Sequence, residues 1–380
     1  MSPKIYLTVD NCFAYKRWTK PAEWCEKIAG LGVGYVEASA DNELDPLFMG
    51  SDYLRAWVKQ VRDAEKSTGV KVANLYSGHG TYTTLGLTHT DKSVRRRMME
   101  KWFKPMIEIA AELGVGLGFF AHAFPEYAIQ NRDSYLEYIS LLENSLVELN
   151  IYAESAGCGK VGIEQMYTPH QYPWTIEQTG KLLKNVTKRS GRGFYFTEDV
   201  GHHQQKFQMP TLELLEQWRK SDYKGRWLGT AKIFSKAEKG ADAAELLNEM
   251  QKLPHLFASA EDGDCYAWIQ KLGCCSPIIH LQQTDGRSSA HLPFTDMENS
   301  KGVVKGDKLL SAIKKAYDQP VDPDMPQRCD EIHLTLELFA GTSTIMRDFM
   351  EDCKTSVAYW RQWIPKDGLT LNELLGKINK

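Results

Sequence analysis

The chain has 380 residues, a mass of 43.2 kDa and a formal net charge of −3, with 46 Lys and Arg against 49 Asp and Glu. Its 42% hydrophobic and 25% charged residues are globular values, which excludes disordered, collagen-like and fibrous classes. The near-neutral balance supplies no electrostatic footprint for nucleic acid or an anionic membrane.

Eight cysteines, none in C-x-x-C spacing, argue against a disulfide scaffold, a zinc ribbon or a thioredoxin-type motif. They read as reduced thiols, and the expected location is cytoplasmic. The opening MSPKIYLTVDNC has neither a basic n-region nor an apolar h-region, and no apolar run nears the roughly 18 residues of a membrane helix.

Short β-branched or aromatic runs alternate with longer helical patterns along the chain. Lys4–Cys12 is the first expected strand, followed by a helix over Pro21–Leu31 with proline in its first turn. Tyr35–Ala40 is the second strand. Ser51 is the expected cap of a helix running to Thr68, which Gly69 stops. Strand three is Val70–Gly78, then a helix over Thr90–Leu113; strand four is Gly116–Ala123, then a long helix over Asn131–Ala156. Lys160–Met166 is strand five, followed by a helix capped by Thr175 and reaching Ser190. Strand six is Gly193–Gly201, with a helix over Thr211–Lys220. Pro277–Thr284 and Glu331–Phe339 are strands seven and eight; helices over Lys305–Tyr317 and Ile345–Trp363 follow them, and a short helical tail follows Thr370.

Eight strand–helix units predict a parallel sheet closed into a single (β/α)₈ TIM barrel over residues 1–380, with an open doubly wound sheet as the alternative. The connection from Gly201 to Pro277 is oversized, and 222–272 is expected as an insertion or lid containing a helix over Asp242–Leu253.

In such barrels chemistry sits at the carboxyl ends of the strands. Strand five carries Glu164, strand six ends in Asp199 with His202 and His203 beyond it, strand seven carries His280 and strand eight Glu337. Singly, each has an ordinary reading as an ion-pair partner, a loop cap or a core histidine. A buried charge in an apolar strand is costly unless paired or bound to metal, and four consecutive strands with such residues are better explained by one shared cation. Three carboxylates and one imidazole suit Mn²⁺ first, with Mg²⁺ or Co²⁺ next; Zn²⁺ fits less well without a thiolate.

The segments GIEQMYTPHQ, FTEDVGHHQQ, IIHLQQTDGRSSAH and LTLELFAG resemble those of the xylose-isomerase-like TIM barrels, in particular the sugar isomerase and epimerase branch with its ketose 3-epimerases. That resemblance implies one metal held by Glu164, Asp199, His280 and Glu337, with His202 and, on looser spacing, Arg287 contacting substrate. It implies isomerisation or epimerisation of a small ketose or ketose phosphate through an enediolate, with Glu164 and Glu337 as the proton-transferring pair. It also implies a homo-oligomer, dimer or tetramer, while the charge balance argues against a nucleic-acid or membrane partner. Departures are the longer chain, the insertion and Gln282-Gln283 where many epimerases carry a glutamate.

Trp174 and neighbouring aromatics, Tyr167 among them, are candidates for stacking on a sugar, against a plain reading as packing. His79 and His122 end strands three and four and are candidate substrate contacts. Two other readings stay open. Keto-sugar lyase chemistry, as a dehydratase or a C-glycoside deglycosidase subunit, would use the same enolate. An endonuclease IV-like phosphodiesterase with three zinc ions would need a D-x-H pair after strand seven, where this chain has Ser289-Ala290-His291.

Overall fold

The computed structural model describes residues 2–78, 85–121, 123–203 and 205–378. Eight strands run parallel in order around the molecule: β1 (Lys4–Asp10), β2 (Tyr35–Ser39), β3 (Lys71–Tyr76), β4 (Gly116–Phe119), β5 (Val161–Glu164), β6 (Tyr195–Asp199), β7 (Ile278–Leu281) and β8 (Glu331–Leu336). β1 pairs with β8 from Lys4 opposite Glu331 and with β2 at Val9 opposite Val36, which closes the sheet into a barrel. A ninth strand, β9 (Leu369–Thr370), pairs antiparallel with Lys4 and Ile5. It anchors the C-terminal helix Leu371–Ile378 beneath the barrel, at the end away from the strands' carboxyl termini.

The strands are buried on both faces because helices cover the outside and side chains fill the inside. Along β6 the two-residue period sends Thr197 and Asp199 inward and Phe196 and Glu198 toward the helices. The helix layer is sealed by Trp24, Trp57, Trp102, Trp268 and Trp360, all fully buried. Most expected helix boundaries hold. Asn131, Thr175, Thr211 and Asp242 each accept a backbone N–H at a helix start. Gly69 ends its helix with φ +78°, in the left-handed region. Ser51 differs: it is the first helical residue, and Gly50 stands before it without a side-chain cap. The helix expected over 90–113 carries one wide turn, Met99–Phe103, just before Pro105, where Lys104 N–H donates to Met99 O.

The segment expected as an insertion divides in two. Helices Ala231–Glu238 and Ala243–Gln251 pack on each other, and Ala243–Gln251 packs on Leu212–Arg219, outside the barrel's helix ring. Cys265–Leu272 instead packs between Ile176–Ser190 and Gly306–Asp318 and occupies the ring position that follows β6. Residues up to 272 therefore do not all lie outside the barrel. No helix among the described residues is long and apolar enough to cross a membrane.

Candidate metal centre

Glu164 ends β5, Asp199 ends β6, His280 lies on β7 and Glu337 follows β8. Asp199 and His280 are register partners, so their side chains enter the barrel mouth side by side. Each of the four residues offers one ligand atom, and these atoms all lie within 4.8 Å of one another. All four are buried, Asp199 and His280 completely. The expected constellation is thus brought together in one place.

The structure adds a support that the strand-by-strand reading passed over. His280 Nε2 lies 2.8 Å from Glu37 Oε2, across the barrel on β2. A carboxylate only accepts, so Nε2 carries a proton and Nδ1 turns to the cluster. His280 Nδ1 sits 3.4 Å from Glu164 Oε1 and 3.3 Å from Glu337 Oε2. Asn74 Nδ2 donates to the other Glu37 oxygen at 2.6 Å, and Asp10 on β1 is the register partner of Glu37. Burial and the Glu37 charge hold Asp10 up at about 7, against the pull of His280 and Cys12 N–H. Glu37 and Asp10 are lone carboxylates in the runs YVEASA and KIYLTVDNC. The rule that selected Glu164 would have selected them too.

Asp199 is held from below by Gln282, whose Nε2 donates to both carboxylate oxygens at 2.8 and 3.0 Å, and by Gly201 N–H at 2.7 Å. A side chain at Gly201 would overlap the Gln282 amide, so glycine there admits the clamp. Burial opposes ionisation of Asp199, but His202, His291, His280 and Gly201 N–H outweigh it and bring the group down to about 2. Glu337 goes the other way. Burial, with the Asp199 and Glu164 charges, raises it well above the carboxylate range despite His280. Burial disfavours a charged His280, but Glu337, Glu37 and Glu164 together raise it well above its ordinary value. Without a cation, the centre keeps protons in the place of positive charge.

The residues fit a divalent cation on two observations. His280 Nδ1 and Glu337 Oε2 are buried without a hydrogen-bond partner among the described residues, and both face the cluster. The donor set of three carboxylates and an imidazole is also that of an intermediate-hardness ion.

A cavity of about 250 Å³ opens on this centre, lined by Tyr76, Glu164, Tyr167, His202, His291 and Glu337, with Phe120 and Phe339 beside them. Tyr76 hydroxyl donates to Glu164 Oε2. Its ring has room because β4 carries Gly118, where an added Cβ would lie 3.1 Å from Tyr76 Cδ2. His202 is tied through Nδ1 to Gln165 O at 2.9 Å, and its Nε2 lies 3.7 Å from Asp199 Oδ2. His291 was noted in the sequence only as the end of an incomplete triplet. Its Nδ1 meets Glu337 O at 3.2 Å, its ring stacks on Phe339, and its φ of +47° is stabilised by its N–H donating to Gln282 Oε1 at 2.6 Å. Asp199, His202 and His291 form a second close set of possible ligands.

Beyond this cluster, other strand-end residues and site candidates stand elsewhere. His203 turns to the helix layer, 2.8 Å from Glu198 Oε1 and against Trp268. Burial lowers His203 to about 3, and burial with the Asp199 charge raises Glu198 well above the carboxylate range. Trp174 does not line the cavity. It packs with Phe207, Ala258 and Trp227, and its Nε1 donates to Tyr135 hydroxyl at 3.2 Å, so its role here is packing at the edge of the 205–264 segment. Arg287 does not line the cavity either; its side chain is 89% exposed, beside Asp285. His79 and His122 lie outside the described residues.

The class defined by these observations is a closed parallel α/β barrel with a candidate metal centre at its mouth. The chain belongs to the xylose isomerase-like TIM barrel family, whose pattern matches residues 25–342. It is 24% identical over 311 residues to the D-erythrulose 1-phosphate 3-epimerase of Brucella abortus (strain 2308), an alignment covering 81% of this chain and 80% of that one. Among solved structures it is similar in fold to a candidate xylose isomerase from Rhodospirillum rubrum, with TM-score 0.70, 18% identity, and coverage of 94% of this chain and 99% of that one. It is also similar in fold to a D-psicose 3-epimerase from Clostridium cellulolyticum H10, with TM-score 0.53, 11% identity, and coverage of 95% and 99%.

Proposed function

We propose that this protein isomerises or epimerises a small ketose or ketose phosphate with the help of a divalent cation, Mn²⁺ by first choice. The observation that carries the reading is the set Glu164, Asp199, His280 and Glu337 at the floor of a cavity, in a chain whose curated relative is a ketose-phosphate 3-epimerase. Those four residues would hold the ion, and a bound cation would polarise the carbonyl of an α-hydroxy-ketone so that its α-proton becomes acidic.

Glu164 and Glu337 reach the cavity from different strands. If one takes the α-proton and the other returns a proton to the opposite face, the product is an epimer. If one carboxylate returns the proton to the neighbouring carbon, the product is an aldose–ketose isomer. Proton transfer by a placed carboxylate contributes about 10²–10⁴-fold. The Tyr76 hydroxyl fixes one Glu164 oxygen, leaving the other toward the cavity. His202, with Nδ1 tied to backbone, offers Nε2 to a substrate hydroxyl. Tyr167, Phe120 and Phe339 give the cavity the apolar faces that pack on sugar C–H groups.

The test is a panel of ketoses and ketose phosphates incubated in D₂O with the metal-loaded protein. Deuterium incorporation at the carbon next to the carbonyl supports the reading, and its absence across the panel overturns it. The second ligand set at Asp199, His202 and His291 keeps one other reading in play, a phosphodiesterase working over several cations. About three zinc ions per chain together with DNA cleavage would select it. All eight cysteines are free and buried, which supports a cytoplasmic location. A dimer or tetramer is the proposed assembly, to be read by light scattering.

A further inference from the structure

We propose that a groove beside the active-site mouth is an anion subsite that receives the phosphate of a phosphorylated ketose; this rests on the ketose reading above. The described residues lining the cavity over the metal centre include two carboxylates and no Lys or Arg, so a phosphate has no cationic side chain to meet there. The positive charge lies one step outward. A groove of about 830 Å³ runs between the β6 and β7 loops and the 205–264 segment, and its described lining includes Lys206, Arg226 and Arg287 and no acidic residue.

The two spaces are joined through the chain. The β6 loop lines the cavity with His202 and the groove with Gln205 and Lys206, while the β7 loop lines the groove with Arg287 and the cavity with Ser289. Two residues of chain span at most about 7 Å, so the backbone of Arg287 in the groove stands within that reach of Ser289 in the cavity.

The three cations are held yet unspent. The Arg226 guanidinium lies over the Trp218 ring, 5.3 Å from its centroid, and Lys206 lies over Phe207. Neither has a carboxylate within ion-pair distance among the described residues, whereas Lys104, Lys181, Lys236 and Arg361 all do. Arg287 has only Asp285, 4.0 Å from Nε. Gln205, Thr211 and Gln217 add polar groups to the same lining. An acidic metal centre and a cationic groove on two shared loops match a ligand with a metal-seeking hydroxy-ketone at one end and a phosphate at the other. They also give the 205–264 segment a purpose, since it contributes Lys206 and Arg226.

The probe is glycerol 3-phosphate, which carries the anion without the ketone, with glycerol and glycerate as controls. It is titrated calorimetrically into the metal-loaded protein and again after chelation, which separates the groove from a cation at the centre. The expected result is phosphate-ester binding that survives chelation, exceeds that of glycerate and weakens about tenfold in Lys206→Gln/Arg226→Gln/Arg287→Gln, the combined effect of three exposed charge contacts. The single exposed change Arg287→Gln keeps the test readable if the triple variant melts early. Equal binding by wild type and variants, no binding by wild type, or binding that vanishes on chelation overturns the subsite. Exchange on ketoses in D₂O without phosphate binding that depends on Lys206, Arg226 and Arg287 removes the subsite alone. Phosphate binding that survives chelation and depends on Lys206, Arg226 and Arg287, without exchange on any ketose, upholds the groove and removes the reading of the reaction.

Discussion

Glu37 on β2 and His280 on β7 meet across the barrel interior with Oε2 and Nε2 2.8 Å apart. Because the carboxylate accepts a hydrogen bond from Nε2–H, Nδ1 is the atom left to face Glu164 and Glu337. Outer partners of this kind fix the ring and raise its basicity as a ligand. Glu37→Gln is expected to weaken Mn²⁺ binding about 10–100-fold while Glu164, Asp199 and Glu337 remain in place. Calorimetric titration with Mn²⁺ reads the change, and unaltered affinity would show that Glu37 does not orient the imidazole.

Glu337 has a double duty in the proposed reaction, as a ligand and as a proton carrier. Glu337→Gln keeps the side-chain volume and removes the charge. Exchange of the ketose α-proton with D₂O is expected to fall by about 10²–10⁴-fold, with the melting temperature of the metal-free protein held or raised. The stability expectation follows from burial, which already makes the charged form costly at this position. Near-wild-type exchange in that variant would overturn the assignment of the centre.

Metal removal should destabilise the chain, since a cation that binds only the folded state adds about 2.7 kcal/mol at a concentration of 100 Kd. Chelation is therefore expected to lower the melting temperature and abolish exchange, and Mn²⁺ to restore both. The pH sense is fixed by the same centre. Glu337 and His280 are both raised above their ordinary values without metal, so a cation must displace their protons. Mn²⁺ affinity should rise with pH through the neutral range, with proton release seen as a buffer-dependent binding enthalpy.

A separate pH effect belongs to His333 at the start of β8, which stacks on Tyr6 and meets Thr8 Oγ1 at 2.9 Å. Burial lowers it from 6.5 to about 4. A lowered histidine is neutral in the folded chain while the unfolded chain takes up the proton, so its contribution is complete above pH 6.5 and is lost as pH falls toward 4. Urea unfolding at pH 7.5 and at pH 4.5 should show a smaller loss of stability on acidification for His333→Asn than for the wild type. An equal loss in both would place the acid sensitivity elsewhere.

The barrel was legible because its signal is repeated: each strand is a short apolar run, and glycine or proline punctuates most of the connections. Glu164, Asp199, His280 and Glu337 were legible because a charge at the end of an apolar strand is conspicuous. Glu37 and Asp10 obey the same rule but stand on early strands that nothing directed attention to. His291 and Gln282 were not legible for a different reason. Their positions depend on how the loop after β7 folds back, with Gln283 and Leu292 exchanging backbone hydrogen bonds, and no periodicity encodes that return. Trp174 shows the converse error. Its position beside strand five suggested a sugar platform, yet the loops of the long connection after β6 supply Ala258 and Trp227, which pack with it.

Gln282 joins the metal centre to that returning loop. Its Nε2 serves both oxygens of Asp199 and its Oε1 accepts the His291 N–H, so one amide sets a ligand and the cavity wall together. Gln282→Glu replaces the donor facing Asp199 with a charge of the same sign. Two buried carboxylates at hydrogen-bond distance cannot both ionise cheaply, so the new pair would retain a proton that the amide does not need. The expected outcome is weaker Mn²⁺ binding at neutral pH, partly recovered as pH is raised. Gln282→Leu, which removes the donor without adding charge, should lose affinity with no such recovery. A pH profile of Mn²⁺ affinity for the two variants separates the cases, and identical profiles would mean that the amide only fills space beneath Asp199.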